Sequence, residues 1–433
     1  IYTGEDTLSL HDALPISLSD NAILTYGVNQ GVFIPLEDYF EKYCPNISAI
    51  LDLPGVREKM TAPDGHIYTI PYVCADSTVG YSPYINTKWL ENVGMSMPTT
   101  TDEFEAVLKA FKEQDANGNG DASDEIPFST DPNNKHIEAM AGYFGLPMNK
   151  LGIAIQNEKV VYGGVSDTYR EFLSWFHKLY AEGLVDVELY TQDSSTWEGK
   201  GNQDLYGVSI AYGSNEFTGI PAAEERGDFD SMPVLNTDKD GIWLRDTEGF
   251  SVYRTQAVIT NKAEHPEIIC RWFDNAFALE NGIGCNRGPV GVIVNKEDDG
   301  YHAIDTTTLS EEDQEKYSWG NLWPQSLPKY LPADFEFVEE HPMYDEKKAT
   351  EEAYEANLTK EIIPSYWIDL DKIDTFSDTN TAIKDFFEQQ QAQFVCGELD
   401  IDNDADWQAY VDGMYSLGLE DWVATQGIEE IAK

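Results

Sequence analysis

The chain has 433 residues, of which 41% are hydrophobic and 12% aromatic, so it can bury more than one core and is not a disordered protein. Its 78 acidic residues far outnumber its 28 basic ones, and the resulting net charge of −50 argues against nucleic acid as a partner. No stretch of the sequence is long and apolar enough to span a bilayer.

The opening residues differ in character from the rest of the chain. Thr7–Ile16, TLSLHDALPI, matches residue for residue one frame of the sequencing adapter ACT CTT TCC CTA CAC GAC GCT CTT CCG ATC, and Ile1–Thr3 match its upstream part. We therefore predict that residues 1–16 are a non-native, adapter-derived segment that is not an integrated part of the fold. On this interpretation the true N-terminus is absent, so the lack of a signal sequence says nothing about location.

Helical and strand-like segments alternate along the remaining chain, which predicts an α/β architecture. HIYTIPYV and QAVITN, residues 66–73 and 256–261, are typical of strands. PTTTDEFEAVLKAFKEQ predicts a helix that begins with a capping box formed by Thr100 and Glu103. Its apolar residues recur on one face and indicate burial against a core.

Two further aromatic stripes predict core helices later in the chain. DTYREFLSWFHKLYAEGLVD places Phe172, Trp175, Phe176 and Leu179 on one side. HPEIICRWFDNAFALENG begins a helix at Pro266. We expect this helix to end near Gly282 and to bury the side chains of Ile269, Trp272 and Phe273.

The cysteines give no sign of a metal or redox site. There are five, an odd number, and no CxxC motif occurs: Cys44, Cys74, Cys270, Cys285 and Cys396. We interpret them as mostly buried, small apolar residues.

The stretch DANGNGDASDEIP carries the clearest chemistry. Asp115, Asn117 and Asn119 occupy positions 1, 3 and 5 of the calcium-loop pattern, and Gly120 occupies position 6. In such a loop alternate side chains direct their oxygens at one hard cation, and glycine permits the sharp turn. Asp121, at position 7, would contribute its backbone carbonyl.

The loop departs from the pattern at its end. Position 12 is Ile126 rather than glutamate, and Asp124 and Glu125 precede it. The following IPFS is strand-like, so no second helix is expected. We predict a structural Ca²⁺ site that Asp124 or Glu125 completes, and the alternative is an Asn-Gly turn next to acids at a helix end. A second acidic run, residues 400–406, has Ala405 where glycine is required, and it reads as a helix N-terminus.

Motifs for catalysis are missing from the sequence. It contains no HExxH, GxSxG or phosphate-binding loop. With 78 acidic residues a carboxylate pair can always be found, so such a pair is no evidence for glycoside hydrolysis.

Three stretches together resemble a known family. They are residues 61–127, which contain YINTKWLENVG and PTTTDEF, residues 258–276, VITNKAEHPEIICRWFDNA, and residues 394–426. They are similar to extracellular solute-binding protein family 1, the sugar-binding components of ABC importers, and most of all to its large lipoprotein members from Gram-positive bacteria. The resemblance covers Leu18–Lys433. Some members, alginate-oligosaccharide binders among them, carry a calcium loop one residue shorter.

The resemblance implies an α/β, two-lobed, periplasmic-binding-protein-like fold of type II. The first lobe is expected over residues 17–82 and 257–318, and the second over 83–256 and 319–433. The chain would cross between them near Thr78–Pro83 and Tyr253–Ala257. Family members begin with a signal peptide, a lipid-anchored cysteine and opening strands, so we expect the first lobe to be incomplete here.

The function that the resemblance implies is binding rather than catalysis. An oligosaccharide would enter the cleft between the lobes, and the closed form would dock on the permease of an ABC importer. The implied location is extracellular, on a Gram-positive cell surface, held only by a lipid anchor that this sequence lacks. A secreted glycosidase or lyase is the alternative, and a purely structural surface protein is a third possibility.

Candidate sugar-binding residues lie where irregular segments leave strands. Sugar sites combine aromatic faces with side chains that satisfy hydroxyl groups. The candidates of these two kinds are Tyr72, Asp76, Tyr212, Asn215, Glu216, Asn286, Arg287, Trp319 and Trp323.

Overall fold

The computed structural model describes residues 13–15, 18–132, 137–219, 228–317, 327–332, 335–338, 342–428 and 430–432. Of residues 13–15, 307, 342–345 and 374–375 only the backbone is described. Within these ranges no helix combines the length and the apolarity that a membrane span requires.

The helices vary from one turn to seven. The α-helices are Asp20–Ile23, Glu37–Tyr43, Pro45–Leu51, Val56–Met60, Thr87–Val93, Thr101–Glu113, Asp167–Ala181, Ser194–Asn202, Asn215–Thr218, Pro266–Asp274, Leu279–Arg287, Glu311–Lys316, Pro342–Tyr354, Ile373–Cys396, Asp404–Ser416 and Leu419–Thr425. Leu24–Asn29 is a π-helix, and the 3-10 helices are Ile137–Phe144, Asn275–Phe277, Thr306–Thr308, Glu355–Asn357 and Leu370–Lys372.

The strands are short, apart from one of ten residues. In chain order they are β1 Ala13–Pro15, β2 Thr69–Ala75, β3 Ser82–Asn86, β4 Ile126–Thr130, β5 Ile153–Gln156, β6 Lys159–Tyr162, β7 Tyr206–Ala211, β8 Phe229–Ser231, β9 Trp243–Arg245, β10 Phe250–Ile259, β11 Val294–Glu297, β12 Gly300–Ala303, β13 Lys329–Tyr330, β14 Leu358–Ile362 and β15 Glu430–Ile431.

The chain divides into two compact units. Unit 1 comprises Ile1–Asp76, Thr247–Glu340 and Ser365–Ser377, and unit 2 comprises Ser77–Asp246, His341–Pro364 and Asp378–Lys433. The chain therefore passes between the units at five places.

Unit 1 is built on a sheet with strand order β1-β10-β2-β13. β10 pairs antiparallel with β2, and β13 pairs parallel with it. The helices Glu37–Tyr43, Pro45–Leu51 and Pro266–Asp274 cover this sheet and share with it a core that includes Phe40, Ile47, Ile70 and Phe273. The two predicted strands therefore do pair, and β10 extends further toward its N-terminus than expected.

The adapter-like segment contributes one element to the described structure. Ala13–Pro15 pairs with β10 at the edge of the sheet, with Leu14 opposite Val258. It is not a central strand. Residues 1–12 and 16 lie outside the described residues, so the adapter interpretation stays a prediction.

Among its described residues, unit 2 contains three small sheets. The first has the order β4-β7-β3-β8, the second β15-β6-β5, and the third pairs β14 with β9. Thr101–Glu113 and Asp167–Ala181 bury Phe104, Phe111, Phe172 and Phe176 completely. The aromatic stripes predicted for these two helices thus do face a core.

The units correct the lobe boundaries that the resemblance suggested. The predicted boundary at residue 256 falls inside β10, whereas the unit boundary lies at Asp246/Thr247. The reason is that β10 pairs with β2 from Phe250 onward, so the whole strand joins unit 1. Similarly, β13 binds β2, so residues up to Glu340 join unit 1 rather than unit 2.

A buried arginine attaches the segment 365–377 to unit 1, where the sequence had suggested unit 2. Arg254 is 5% exposed, and its guanidinium donates to both carboxylate oxygens of Asp20, at 2.8 and 2.6 Å. The same group donates to the Tyr366 carbonyl at 2.9 Å and lies 3.9 Å from the ring centre of Trp367. One side chain thus joins three distant segments.

The helix that starts at Pro266 differs from its prediction. It ends at Asp274, and after a 3-10 turn a separate helix runs from Leu279 to Arg287. Trp272, predicted to be buried, is 52% exposed. The buried stripe is centred on Ile269, Cys270 and Phe273, which places residue 272 beyond its margin on a helix of 3.6 residues per turn.

The predicted capping box is confirmed at Thr100. Its side chain accepts a hydrogen bond from the Glu103 amide at 3.2 Å, while Glu103 Oε2 accepts from the Thr99 amide at 2.8 Å. The return bond thus reaches one residue further back than in the standard motif.

We expect Thr100→Ala to lower the free energy of unfolding by about 1 kcal/mol, because an orphan helix amide loses its acceptor. Urea denaturation followed by circular dichroism measures this change. Thr100→Ser keeps the acceptor oxygen and should cost less than half as much. Equal losses in the two variants would contradict the capping role.

Candidate functional site

In unit 1 a pair of stacked tyrosines lies beside a carboxylate and an amide. Tyr72 on β2 is directly opposite Tyr253 on β10, so both side chains lie on one face of the sheet. Their rings are 5.4 Å apart and nearly parallel, at 19°. The Tyr72 hydroxyl donates to Asn286 Oδ1 at 2.9 Å, and the Tyr253 hydroxyl donates to Asp76 Oδ2 at 2.7 Å. We call these four residues the tyrosine face.

The tyrosine face combines a rigid base with an accessible surface. Tyr72 and Asn286 are buried, and Asn286 is held further by donating from Nδ2 to the Gly282 carbonyl at 2.8 Å. Tyr253, in contrast, is 43% exposed. An exposed aromatic ring beside a carboxylate acceptor is the combination that sugar C–H surfaces and hydroxyls require.

Two cationic side chains stand near the tyrosine face. Lys329 on β13 is paired in register with Tyr72, is fully buried, and has its Nζ 4.7 Å from the Tyr72 ring centre. Burial lowers the pKa of Lys329 to about 8, and the nearby charge of Arg287 lowers it further. Arg287 itself is half-buried at the end of the helix that carries Asn286.

In unit 2 the predicted residues Tyr212 and Glu216 meet a lysine. Glu216 Oε2 accepts from the Tyr212 amide at 2.9 Å. Lys347, on Pro342–Tyr354, donates to the Tyr212 carbonyl at 2.6 Å and to the Gly80 carbonyl, and its Nζ lies 4.0 Å from the Tyr212 ring centre. Tyr81 meets the same ring edge-on, with centroids 6.1 Å apart. We call Tyr81, Tyr212, Glu216 and Lys347 the lysine cluster.

The turn after β7 holds the lysine cluster tightly. Glu346 accepts hydrogen bonds from the amide and the hydroxyl of Ser214. Asn215 is half-buried, and a Cβ atom on Gly213 would lie only 2.7 Å from its Oδ1, so a larger residue at 213 would displace the Asn215 amide. Burial raises the pKa of Glu216 and of Glu346, while the charge of Lys347 opposes both shifts.

Lys347 gives unit 2 a dependence on pH. Burial lowers its pKa from 10.5 to about 8, although the carboxylates of Glu351, Asp246, Glu216 and Glu346 favour the charged form. Between pH 8 and 10.5 the unfolded chain therefore keeps a proton that the folded chain has released. The contribution of Lys347 to the free energy of unfolding therefore rises with pH across that window.

We expect the free energy of unfolding of the native chain to increase relative to that of Lys347→Met as pH rises from 8 to 10. Urea denaturation at pH 7, 8.5 and 10 measures it. Lys347→Arg keeps the charge at every pH and should lack the same rise. A difference that does not change with pH would contradict a lowered lysine pKa.

The predicted calcium loop follows Thr101–Glu113 and ends at β4, so no second helix closes it, as expected. Asp115 Oδ2 accepts from the Gly120 amide at 3.0 Å. Asn117 Oδ1 accepts from the Asn119 amide, and Asn119 Oδ1 accepts from the Asp121 amide. These bonds fold the loop around its own interior, with Gly120 at a φ of 96° that favours glycine.

Asp124 reaches the interior of this loop. Its carboxylate accepts from the side-chain amides of Asn117 and Asn119, at 3.2 and 2.7 Å. Glu125 instead accepts from the Ala116 amide at 2.9 Å. The Asp121 carboxylate turns to Ser123, which leaves only its carbonyl for the predicted role.

The donor set of the loop fits a hard cation. Oδ1 of Asp115 and Oε2 of Glu125 are buried oxygens without a hydrogen-bond partner. Burial raises the pKa of Glu125, and the neighbouring charge of Asp124 raises it further. If the side-chain amides of Asn117 and Asn119 rotated by half a turn, their oxygens would face the Asp124 carboxylate. A Ca²⁺ ion bound between these oxygens would stabilise that arrangement.

The sequence predicted some of the residues that meet here and not others, and the role of all of them in binding stays a prediction. Tyr72, Asp76 and Asn286 come together, and so do Tyr212 and Glu216. Tyr253, Lys329 and Lys347 were missed, because nothing in their local sequence marks them. Trp319 and Trp323 lie outside the described residues, and their role stays a prediction.

Comparison with known proteins gives relatives of one kind. The chain is 33% identical over 293 residues to the fructooligosaccharide ABC transporter substrate-binding protein FusA of Streptococcus pneumoniae, a match that covers 65% of this chain and 53% of FusA. It is 31% identical over 218 residues to the lipoprotein LipO of Bacillus subtilis, covering 48% of this chain and 40% of LipO. The chain thus spans about half the length of these curated relatives or less. No family model matches.

Solved structures match over nearly the whole chain. The structure of FusA in complex with kestose has a TM-score of 0.83 at 26% identity and covers 96% of this chain and 86% of its own. The chain has the two-lobed solute-binding fold. A solute-binding protein from Bifidobacterium longum infantis, described as HMO binding and ABC-transporter associated, matches with a TM-score of 0.77 at 22% identity, over 96% of this chain and 86% of its own. At this identity the match supports the fold alone.

The relatives agree with two of the sequence predictions. FusA is described as the substrate-binding protein of an ABC transporter, which accords with a binding protein rather than an enzyme. A second FusA structure, with a TM-score of 0.80 at 26% identity, is described as an EF-hand mutant in complex with fructo-nystose. An EF-hand is a calcium-binding loop motif, so this description bears on the loop predicted here.

Proposed function

We propose that this protein is the substrate-binding component of an ABC importer and that it binds an oligosaccharide of the fructooligosaccharide class. The observation that carries the proposal is the likeness to the FusA–kestose complex across 96% of the chain. The proposed partners are the sugar and the membrane permease of the importer. The proposed location is the outer surface of a Gram-positive cell, with attachment through a lipid anchor.

The tyrosine face supports this function in unit 1. The exposed ring of Tyr253 offers an apolar surface to the C–H groups of a sugar, and Asp76 beside it accepts hydrogen bonds from hydroxyls. The hydrogen bond from Tyr72 to Asn286 fixes the ring beneath, so little side-chain entropy is lost on binding. We propose that Arg287 and Lys329 donate to sugar oxygens at the same face.

The lysine cluster supports it in unit 2. Tyr212 again offers a partly exposed ring, and Glu216 and Asn215 supply an acceptor and an amide beside it. Because Lys347 bonds to the carbonyls of Tyr212 and Gly80, it holds the turn in place. We propose that Tyr212, Asn215 and Glu216 contact the sugar and that Lys347 positions them.

We also propose that residues 115–125 bind a structural Ca²⁺ ion. The ligands would be the side chains of Asp115, Asn117, Asn119 and Asp124 and the backbone carbonyl of Asp121. Glu125, which has an unpartnered carboxylate oxygen, is the alternative to Asp124. The support is the donor set of the loop and the two buried orphan oxygens. The ion would hold together a turn that otherwise carries uncompensated negative charge.

Calorimetric titration with kestose tests the sugar-binding proposal. Saturable binding is expected, with maltotriose as the comparison sugar, and chromatography after prolonged incubation should show no hydrolysis product. Binding of maltotriose in preference to kestose would overturn the proposed substrate class. Release of monosaccharides that a single carboxylate substitution abolishes would instead establish the secreted-enzyme alternative.

A further inference from the structure

Two cysteines that are distant in sequence meet in the core of unit 1. Cys44 lies between the helices Glu37–Tyr43 and Pro45–Leu51, and Cys270 lies in the middle of Pro266–Asp274. Both are fully buried and belong to the same apolar cluster. Both thiols are free in this structure, and the Cys44 thiol lies close enough to Cys270 to raise its pKa.

Contacts on both sides of Cys44 fix this juxtaposition. Tyr43 precedes Cys44, and its ring centre lies 4.9 Å from the guanidinium of Arg271. On the following residues, Asp274 accepts from Asn46 Nδ2 at 2.9 Å and from the Ile47 amide at 2.8 Å. The chain around Cys44 is thus held against the helix of Cys270 one residue before and two to three residues after it.

We propose that Cys44 and Cys270 form a disulfide bond when the chain folds in an oxidising environment. A small-molecule disulfide is the oxidant: one cysteine thiolate attacks it and releases one thiol, and the second cysteine displaces the other. The protein loses two protons and two electrons as one S–S bond forms, and the small disulfide is reduced to two thiols. The proposed extracellular location supplies such an environment, but the bond does not depend on sugar binding.

The environment of the pair determines when the bond forms. The neighbouring Cys44 thiol, together with burial, raises the pKa of the Cys270 thiol, so the reactive thiolate is scarce once the core has closed. Exchange therefore takes place during folding. After folding, the same burial protects the disulfide from reductants in solution.

The other cysteines are placed differently. Cys74 is buried beside Tyr72, Cys285 is half-buried, and Cys396 is exposed on a helix of unit 2. The pair is therefore specific to Cys44 and Cys270. The absence of a CxxC motif concealed it, since the two residues approach only through the packing of distant helices.

Refolding the reduced, denatured full chain in a buffer of oxidised and reduced glutathione tests the proposal. Alkylation in denaturant followed by intact mass should show that two of the five thiols are lost, and peptide mapping should identify a Cys44–Cys270 link. Cys285→Ser is the control and should lose the same two thiols. Cys270→Ala should lose none.

Two results would overturn the proposal. One is alkylation of all five cysteines in the refolded chain, and the other is a linked peptide that joins any other pair. The mapping is done on the native sequence, so a variant that fails to fold does not affect it. Thiol counting uses no sugar, and its failure is therefore distinguishable from failure of the proposed binding function.

Discussion

Calcium added to the chelated protein is expected to raise its melting temperature, and Asp124→Asn is expected to abolish that rise. A ligand present at 100 times its Kd stabilises the folded state by about 2.7 kcal/mol. For a domain of roughly 150–250 residues this corresponds to a shift of about 5–10 °C. Differential scanning fluorimetry with and without calcium measures it.

The choice of Asp124 follows from its two contacts. Its carboxylate accepts from both asparagine side chains of the loop, so it is placed to meet a cation that those side chains also face. Asparagine preserves its shape but removes the negative charge that a hard cation requires. The loss should therefore fall on calcium binding more than on the folding of the chelated protein.

A matched substitution separates a local effect from a general one. Asp238 is an exposed aspartate elsewhere in unit 2, and Asp238→Asn should retain the full response to calcium. Magnesium at the same concentration should give a smaller shift, because it demands a tighter octahedral geometry. If the native chain shows no shift with calcium, the loop is an Asn-Gly turn and not a metal site.

Truncation of the exposed tyrosine is expected to weaken kestose binding strongly. Tyr253→Ala removes the accessible ring of the tyrosine face and should cost about 2 kcal/mol, or roughly 30-fold in Kd. Stability should change less, because 43% of this residue is already exposed. Calorimetric titration of the native and variant proteins gives both affinities.

Two companion variants define the source of the loss. Tyr253→Phe keeps the ring but removes the hydroxyl that donates to Asp76, so it should cost less than tenfold. Tyr415→Ala removes an equally exposed tyrosine from a helix of unit 2 and should leave the affinity unchanged. Equal affinities for the native protein and Tyr253→Ala would rule out the tyrosine face as a sugar site.

Local features were predicted best from the sequence. The Thr100 cap and the turns of the calcium loop depend on hydrogen bonds between residues at most ten apart, and they occur at the predicted positions. The strands around residues 69–75 and 250–259 were located for the same reason, since their apolar pattern is local. The N-terminal part of β10, from Phe250, was not predicted. Its local sequence does not indicate that it pairs with β2.

Contacts between distant segments were decided by the tertiary structure alone. The amino-acid sequence is enough to predict an acidic α/β chain with a capped helix and an oxygen-rich loop, because propensity, capping and spacing act over a few residues. Packing decided that Tyr253 faces Tyr72, that Lys347 bonds to Tyr212, and that Cys44 meets Cys270. Each of these pairs is far apart in the chain, and only the burial of apolar surface, which is non-directional and shared by the whole chain, brings its members together.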